Sequence, residues 1–125
     1  EAMTHTIYKT QVTAIGDLVP TFREAGMLVF FGANAPEELH DFCILHEVTH
    51  KEDFLRPGDV VTIGETSMTI LAVGAVASDN LMNLGHLNLK ANGLSNAELP
   101  GDVNIEQQVL PEVEIGTTIT ITRSA

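Results

Sequence analysis

The residues best able to do chemistry in this chain are its histidines, of which there are five, and three of them crowd one segment: His40-Asp41-Phe42-Cys43-Ile44-Leu45-His46-Glu47-Val48-Thr49-His50. Taken literally, His46-Glu47-Val48-Thr49-His50 is the H-E-x-x-H pattern. On a helix it puts two imidazoles on one face for zinc and leaves the glutamate as a general base. The pattern has that meaning only on a helix. Cys43-Ile44-Leu45 before it and Val48-Thr49 within it favour a strand, and Pro57-Gly58 closes the segment soon after. Asp53 and Arg56 stand where an extended metzincin motif needs its glycine and third histidine, which leaves only Glu65 as a conceivable third ligand. A looser site of His40, Cys43, His46 and His50 is the other metal arrangement these residues allow. The bland alternative is that His40 and His50 are solvated polar residues, and His5 lies close to the chain's start.

A second informative stretch runs Gly74-Ala75-Val76-Ala77-Ser78-Asp79-Asn80-Leu81-Met82-Asn83-Leu84-Gly85-His86. His86 follows a glycine free to take unusual backbone angles and opens a strand, a placement that presents an imidazole at a rim. A surface histidine at a strand end is the plainer reading. No phosphate-binding G-x-x-x-x-G-K-[ST] loop, G-x-G-x-x-G turn or G-x-S-x-G elbow is present, so whatever reacts here is expected to work without a cofactor.

Those residues need elements to position them. Glycine and proline are dense, from Gly16 and Pro20 through Pro57-Gly58 and Pro100-Gly101 to Gly116, and cut the chain into pieces mostly too short for ordinary helices. Between them lie strand-like runs at Thr6 to Ile15, Met27 to Phe31, Val60 to Ile63, Met68 to Val76 and Thr117 to Thr122. Pro57-Gly58-Asp59-Val60 recurs as Pro100-Gly101-Asp102-Val103, each ahead of an alternating segment, a weak internal repeat. Pro36 to Phe42 and Asp79 to Leu84 read as short helices. The expected fold is all-β, mostly antiparallel: a compact β-barrel or barrel-like sandwich with two short helical insertions. Residues 3–125 are read as a single domain, with Glu1-Ala2 ahead of Met3 as a cloning remnant.

Composition narrows the function classes. Six Lys and Arg against 17 Asp and Glu give a formal charge of −11, which argues against nucleic acid and favours encounter with a basic protein. No apolar run approaches the roughly 18 residues that span a bilayer, and the start lacks a signal peptide, so a soluble cytoplasmic protein without membrane insertion is expected. The single cysteine, Cys43, makes no internal disulfide, in keeping with a reducing compartment. Edge strands in a small barrel favour a symmetric homodimer.

Asp41-Phe42-Cys43-Ile44-Leu45-His46, the Asp79-Asn80-Leu81 to Leu84-Gly85-His86 stretch and Ala97-Glu98-Leu99-Pro100-Gly101 together resemble the glucitol/sorbitol-specific IIA component of the phosphotransferase system, over nearly the whole chain from Met3. The resemblance implies a phosphotransferase relay: the histidine phosphocarrier protein HPr donates a phosphoryl group, the IIA component carries it on His46, and the IIB domain of the sugar permease receives it. The Leu-Gly-His motif carries over to His86, and phosphoryl-transfer chemistry makes that ring a candidate hydrogen-bond partner of the phosphoryl group; His5, His40 and His50 match no element of the family. The chemistry fits, because imidazole with its ordinary pKa of about 6.5 is mostly neutral near pH 7 and is a nucleophile without a special base. Lys51 and Arg56 are the cations nearest His46 in sequence, and Phe42 and Phe54 are candidates for an apolar contact patch. A zinc-binding or zinc-hydrolase domain built on the His46 to His50 segment, and a non-catalytic sugar-binding β-domain, are the competing readings.

Overall fold

A computed structural model of the protein describes residues 4–124. The expected remnant Glu1-Ala2 and Met3 lie outside the described residues. Eight strands, β1 (Thr4–Ile15), β2 (Met27–Gly32), β3 (Ile44–Lys51), β4 (Val60–Ile63), β5 (Thr66–Val73), β6 (Leu87–Lys90), β7 (Asp102–Ile105) and β8 (Thr118–Ser124), close into one barrel. Their order around it is β1-β3-β2-β6-β7-β5-β4-β8, with β8 returning to pair with β1. The strand signals are the β-branched and aromatic runs. In β8, Ile119 and Ile121 point into the core while Thr118, Thr120 and Thr122 keep partial access to water.

Six of the eight pairings are antiparallel, as expected of the sequence; β2 with β3 and β6 with β7 are parallel. Closure gives every described strand two neighbours, which removes the end-strand edges on which a symmetric homodimer was expected to form. The two expected helical insertions are present, a 3-10 helix over Glu37–Phe42 and an α-helix over Ala77–Leu84. A third, Val19–Glu24, was not expected: its six residues are too few for an amphipathic period, and only Pro20 in its first turn marks it. We call the two α-helices α1 (Val19–Glu24) and α2 (Ala77–Leu84). Among the described residues no helix is long and apolar enough to cross a membrane.

The repeated Pro-Gly-Asp-Val segments fold alike. In Arg56–Asp59 and in Leu99–Asp102 the aspartate amide donates to the carbonyl three residues back at 3.1 Å, and its carboxylate accepts from that residue's amide, at 2.8 and 3.3 Å. Each aspartate is buried against one cation, Asp59 with Arg123 at 2.9 Å and Asp102 with Lys90 at 2.7 Å. The strands that follow, β4 and β7, flank β5 on opposite sides. The core between the walls holds Leu28, Ile44, Val61, Leu89, Val103 and Ile105, none measurably exposed, and each such leucine or isoleucine contributes about 2 kcal/mol relative to exposure.

Candidate functional site

Strand β3 begins inside the core and ends in water. Ile44 and His46 are buried, and from Glu47 onward only Val48 is partly covered. His46 is also where the neighbouring strand stops: β2 pairs with β3 up to Gly32 opposite His46, and beyond that point β3 keeps only β1. The imidazole therefore stands at the end of the barrel. The H-E-x-x-H segment is a strand, so its spacing has none of the meaning it has on a helix.

There the ring is buried, 2% exposed. The cover is the chain leaving α2. Gly85 takes a left-handed conformation (φ 66°) after Leu84, and His46 Nε2–H donates to its carbonyl at 2.6 Å. Glycine is required there, because a Cβ would lie 2.9 Å from the Gly32 amide nitrogen and 3.1 Å from Nε2. Gly32 answers it, since a Cβ at that position would meet the Leu84 carbonyl oxygen at 2.7 Å. The other ring nitrogen faces Thr10, whose Oγ1 lies 2.5 Å from Nδ1. In the β1–β3 register Val12 is directly opposite His46, so Thr10 is its diagonal neighbour on the same buried face. The Phe30 ring stands edge-on at 6.0 Å.

Burial lowers the pKa of His46, an effect the Gly85 carbonyl opposes more weakly. The ring is thus neutral near pH 7. A carbonyl only accepts, so Nε2 carries the proton, and the bare Nδ1 accepts from the Thr10 hydroxyl. A shallow groove of about 230 Å³ opens beside this pair, lined by His46, Glu47, Lys51, Met82, Leu84 and Gly85 among others. Lys51 Nζ donates to the Met82 carbonyl at 2.6 Å, so two side chains of β3 engage carbonyls at the C-terminal end of α2, where the helix dipole attracts protons and cations. A larger groove of about 600 Å³, around Arg23 and Leu110, shares no lining residue with the first.

Of the residues read from sequence, His46 and His86 come to the same end of the barrel. His86 Nδ1–H donates to the Phe30 carbonyl at 3.2 Å, and its ring lies against Phe31 with centroids 4.6 Å apart. His40 instead bonds the Ala35 carbonyl, while His50 and His5 share Glu52. Cys43 is buried and its thiol pKa is raised by that burial. Among the described residues no three His, Cys, Asp or Glu side chains come together as metal ligands. Arg56 pairs with Asp53, leaving Lys51 as the cation at the groove; Phe42 stacks on Phe22 at 5.6 Å, and Phe54 stays half exposed. Thr10 and the Gly85 carbonyl escaped sequence reading, because a buried threonine in a strand has no local signature and a backbone carbonyl has none at all.

Comparison with known proteins fits this geometry. The family described as "PTS system glucitol/sorbitol-specific IIA component" matches residues 7–120. The glucitol/sorbitol-specific EIIA components of Shigella flexneri and of Escherichia coli (strain K12) are each 34% identical over 113 residues, covering 90% of this chain and 92% of the relative. The crystal structure of a PTS system IIA component from Enterococcus faecalis V583 superposes with a TM-score of 0.78 at 30% identity, covering 89% of this chain and 96% of that one. With the family model matching from β1 into β8 and both relatives matching over 90% of its length, this chain belongs to the glucitol/sorbitol-specific IIA component family of the phosphotransferase system.

Proposed function

We propose that His46 is the residue on which this IIA component carries its phosphoryl group. A IIA component of the phosphotransferase system is a phosphotransferase that relays phosphoryl groups, and membership of the family gives the chain that role. The observation that carries the assignment to His46 is the neutral imidazole held between Thr10 and Gly85, beside a groove that contains Lys51. Such a ring has the lone pair a nucleophile needs, the bonds that orient it, and a cation to neutralise phosphoryl oxygens.

The donor in this reading is phosphorylated HPr and the acceptor the IIB domain of a glucitol/sorbitol permease, with the relay running in the cytoplasm and residues 3–125 acting as one domain. The formal charge of −11 makes a partner with a basic face the favoured one. His86 is the second member of the site. With Nδ1–H given to Phe30, only its Nε2 is free for a phosphoryl oxygen, and that nitrogen donates only when the ring is charged.

The test is to mix the protein with phosphoenolpyruvate, enzyme I and HPr, then compare wild type with His46→Ala, His50→Ala and His86→Ala. The label is expected to be acid-labile and stable in mild base, to vanish in His46→Ala, to persist in His50→Ala, and to form or pass on more slowly in the folded His86→Ala variant. Normal labelling of His46→Ala would falsify the assignment. A wild type that never labels, yet is stabilised by sugar alone, overturns the whole reading.

A further inference from the structure

Helix α2 lies across the end of the barrel with one face in the core and the other bare. Ala77, Ser78 and Leu81 are buried, whereas Val76 at the N-terminal cap, Asp79, Asn83 and Leu84 are exposed. Two of the exposed residues are large and apolar, Val76 at 42% and Leu84 at 52% exposure. We propose that this outward face of α2, extended by Leu99, is the surface on which phosphorylated HPr docks to reach His46. This inference rests on the reading of His46 as the carrier.

Leu84 immediately precedes Gly85 and lines the groove beside His46 together with Met82 and Lys51. A carrier protein that brings its phosphoryl group into that groove therefore has to sit on Leu84. Val76 stands at the other end of the helix, about 12 Å along the axis. There a second segment joins the face: the Val76 amide donates to the Pro100 carbonyl at 2.9 Å, and a Cβ on Gly74 would meet the Pro100 and Leu99 carbonyl oxygens at 2.3 and 2.8 Å. That close backbone approach fixes Leu99, 57% exposed, beside Val76. A partner of ordinary interface size covers about 800 Å² on each side, enough to span both the helix and the groove.

The rim of this face is acidic. Glu47 lines the groove, Asp79 lies on the bare side of α2 and Glu98 adjoins Leu99, all three exposed, against Lys51 as the cation at the groove. Such a rim fits a partner whose apolar patch is ringed by Lys or Arg, the complement that a chain of formal charge −11 favours. The opposite end of the barrel supplies a contrast. Val109, 87% exposed, lies with Gly26 and Ala91, where β2 begins and β6 ends, whereas His46 stands level with Gly32, where β2 ends and β6 begins. A protein docked on Val109 has the whole barrel between itself and His46.

The experiment measures the phosphorylation rate of the whole chain against the concentration of phospho-HPr, with Val76→Asn, Leu99→Lys and Val109→Lys beside wild type. Asn is a preferred residue at a helix N-cap, so Val76→Asn is expected to fold. Val76→Asn and Leu99→Lys are each expected to raise the half-saturating concentration about fivefold or more with the rate at saturation unchanged, and Val109→Lys to change neither. In a second measurement, unphosphorylated HPr is titrated into 15N-labelled His46→Ala, where binding proceeds without transfer to that residue; the amide signals of Val76, Leu84 and Leu99 are expected to shift and that of Val109 to stay. Wild-type kinetics in both α2-face variants, or shifts centred on Val109, overturn the docking surface, and the shifts decide where a variant does not fold. Unchanged kinetics together with a wild-type dimer that Leu99→Lys splits gives the face to a second copy of the chain and overturns the proposal as well. A wild type that binds HPr through this face yet never labels supports the surface and overturns the carrier reading alone.

Discussion

His46 and Gly85 stand 39 residues apart in sequence, yet the ring of one donates to the carbonyl of the other at 2.6 Å, and a methyl group on Gly85 would sit 3.1 Å from that same nitrogen. Gly85→Ala therefore carries two penalties, a left-handed φ and a clash with the Gly32 backbone. Its stability is expected to fall by about 2 kcal/mol. Gly64→Ala is the control, since its φ of 60° is nearly the same but the nearest atom to the added carbon is the Thr117 methyl at 3.9 Å. Urea unfolding of the two variants should show the larger loss at Gly85; equal losses would remove the steric part of the argument.

The lowered pKa of His46 has a consequence for pH dependence. The unfolded ring titrates near its ordinary value of about 6.5 and the folded one lower, so between those values the unfolded state binds more protons. The stability that His46 supplies is therefore present above about pH 6.5 and is lost as pH falls through the window down to the folded value. The urea midpoint of wild type should drop on acidification from neutral, by at most about 1.4 kcal/mol per pH unit from this group, and His46→Gln should flatten the slope. Glu52 and Asp53 have lowered carboxyl pKa values through their His5, His50, Phe54 and Arg123 partners, so their effect lies at more acid pH.

Lys51 separates transfer from stability. Its ammonium donates to the Met82 carbonyl from an exposed position, so Lys51→Met should alter stability by no more than about 0.5 kcal/mol. Phosphorylation by phospho-HPr should slow by about tenfold or more if the charge neutralises phosphoryl oxygens. Rapid-quench labelling measures the rate, and an unchanged rate removes Lys51 from the site.

Asp59 tests the repeated turn. Arg123 grips it through Nε and Nη2, both at 2.9 Å, and also reaches Asp53 and the Phe54 carbonyl. Asp59 is 2% exposed and Asp53 is far more open, so Asp59→Ala should cost about 3 kcal/mol and Asp53→Ala less than about 1 kcal/mol. Thermal melts of the two variants would rank them.

Much of the barrel was legible in the sequence because its signals are local. The runs at Met27 to Phe31 and Val60 to Ile63 match β2 and β4 nearly residue for residue, and Cys43-Ile44-Leu45 with Val48-Thr49 was enough to put His46 on a strand. The parallel pairs were not legible, since nothing in β2 or β6 states which neighbour it takes. The partners of His46 were hidden for a related reason. Thr10 reaches Nδ1 because β1 and β3 are in one particular register, with shifts at Lys9/Thr10 and Val12/Ala14 that no periodicity encodes. Gly85 was read from the sequence as conformationally free but not as the cover of His46, because that contact joins residues 39 apart in the chain.

The pairing that closes the barrel, Thr4 opposite Ser124 through Gln11 opposite Thr118, joins the first described strand to the last. Its kinetic meaning is severe: the longest loop in the molecule must be closed before β1 and β8 gain anything from each other, which places refolding in the slow range, on the order of milliseconds to seconds. A chain still emerging from the ribosome and lacking Thr118 onward exposes the bare sides of both β1 and β4. Such a nascent chain is most vulnerable to aggregation in the interval before its final strand arrives.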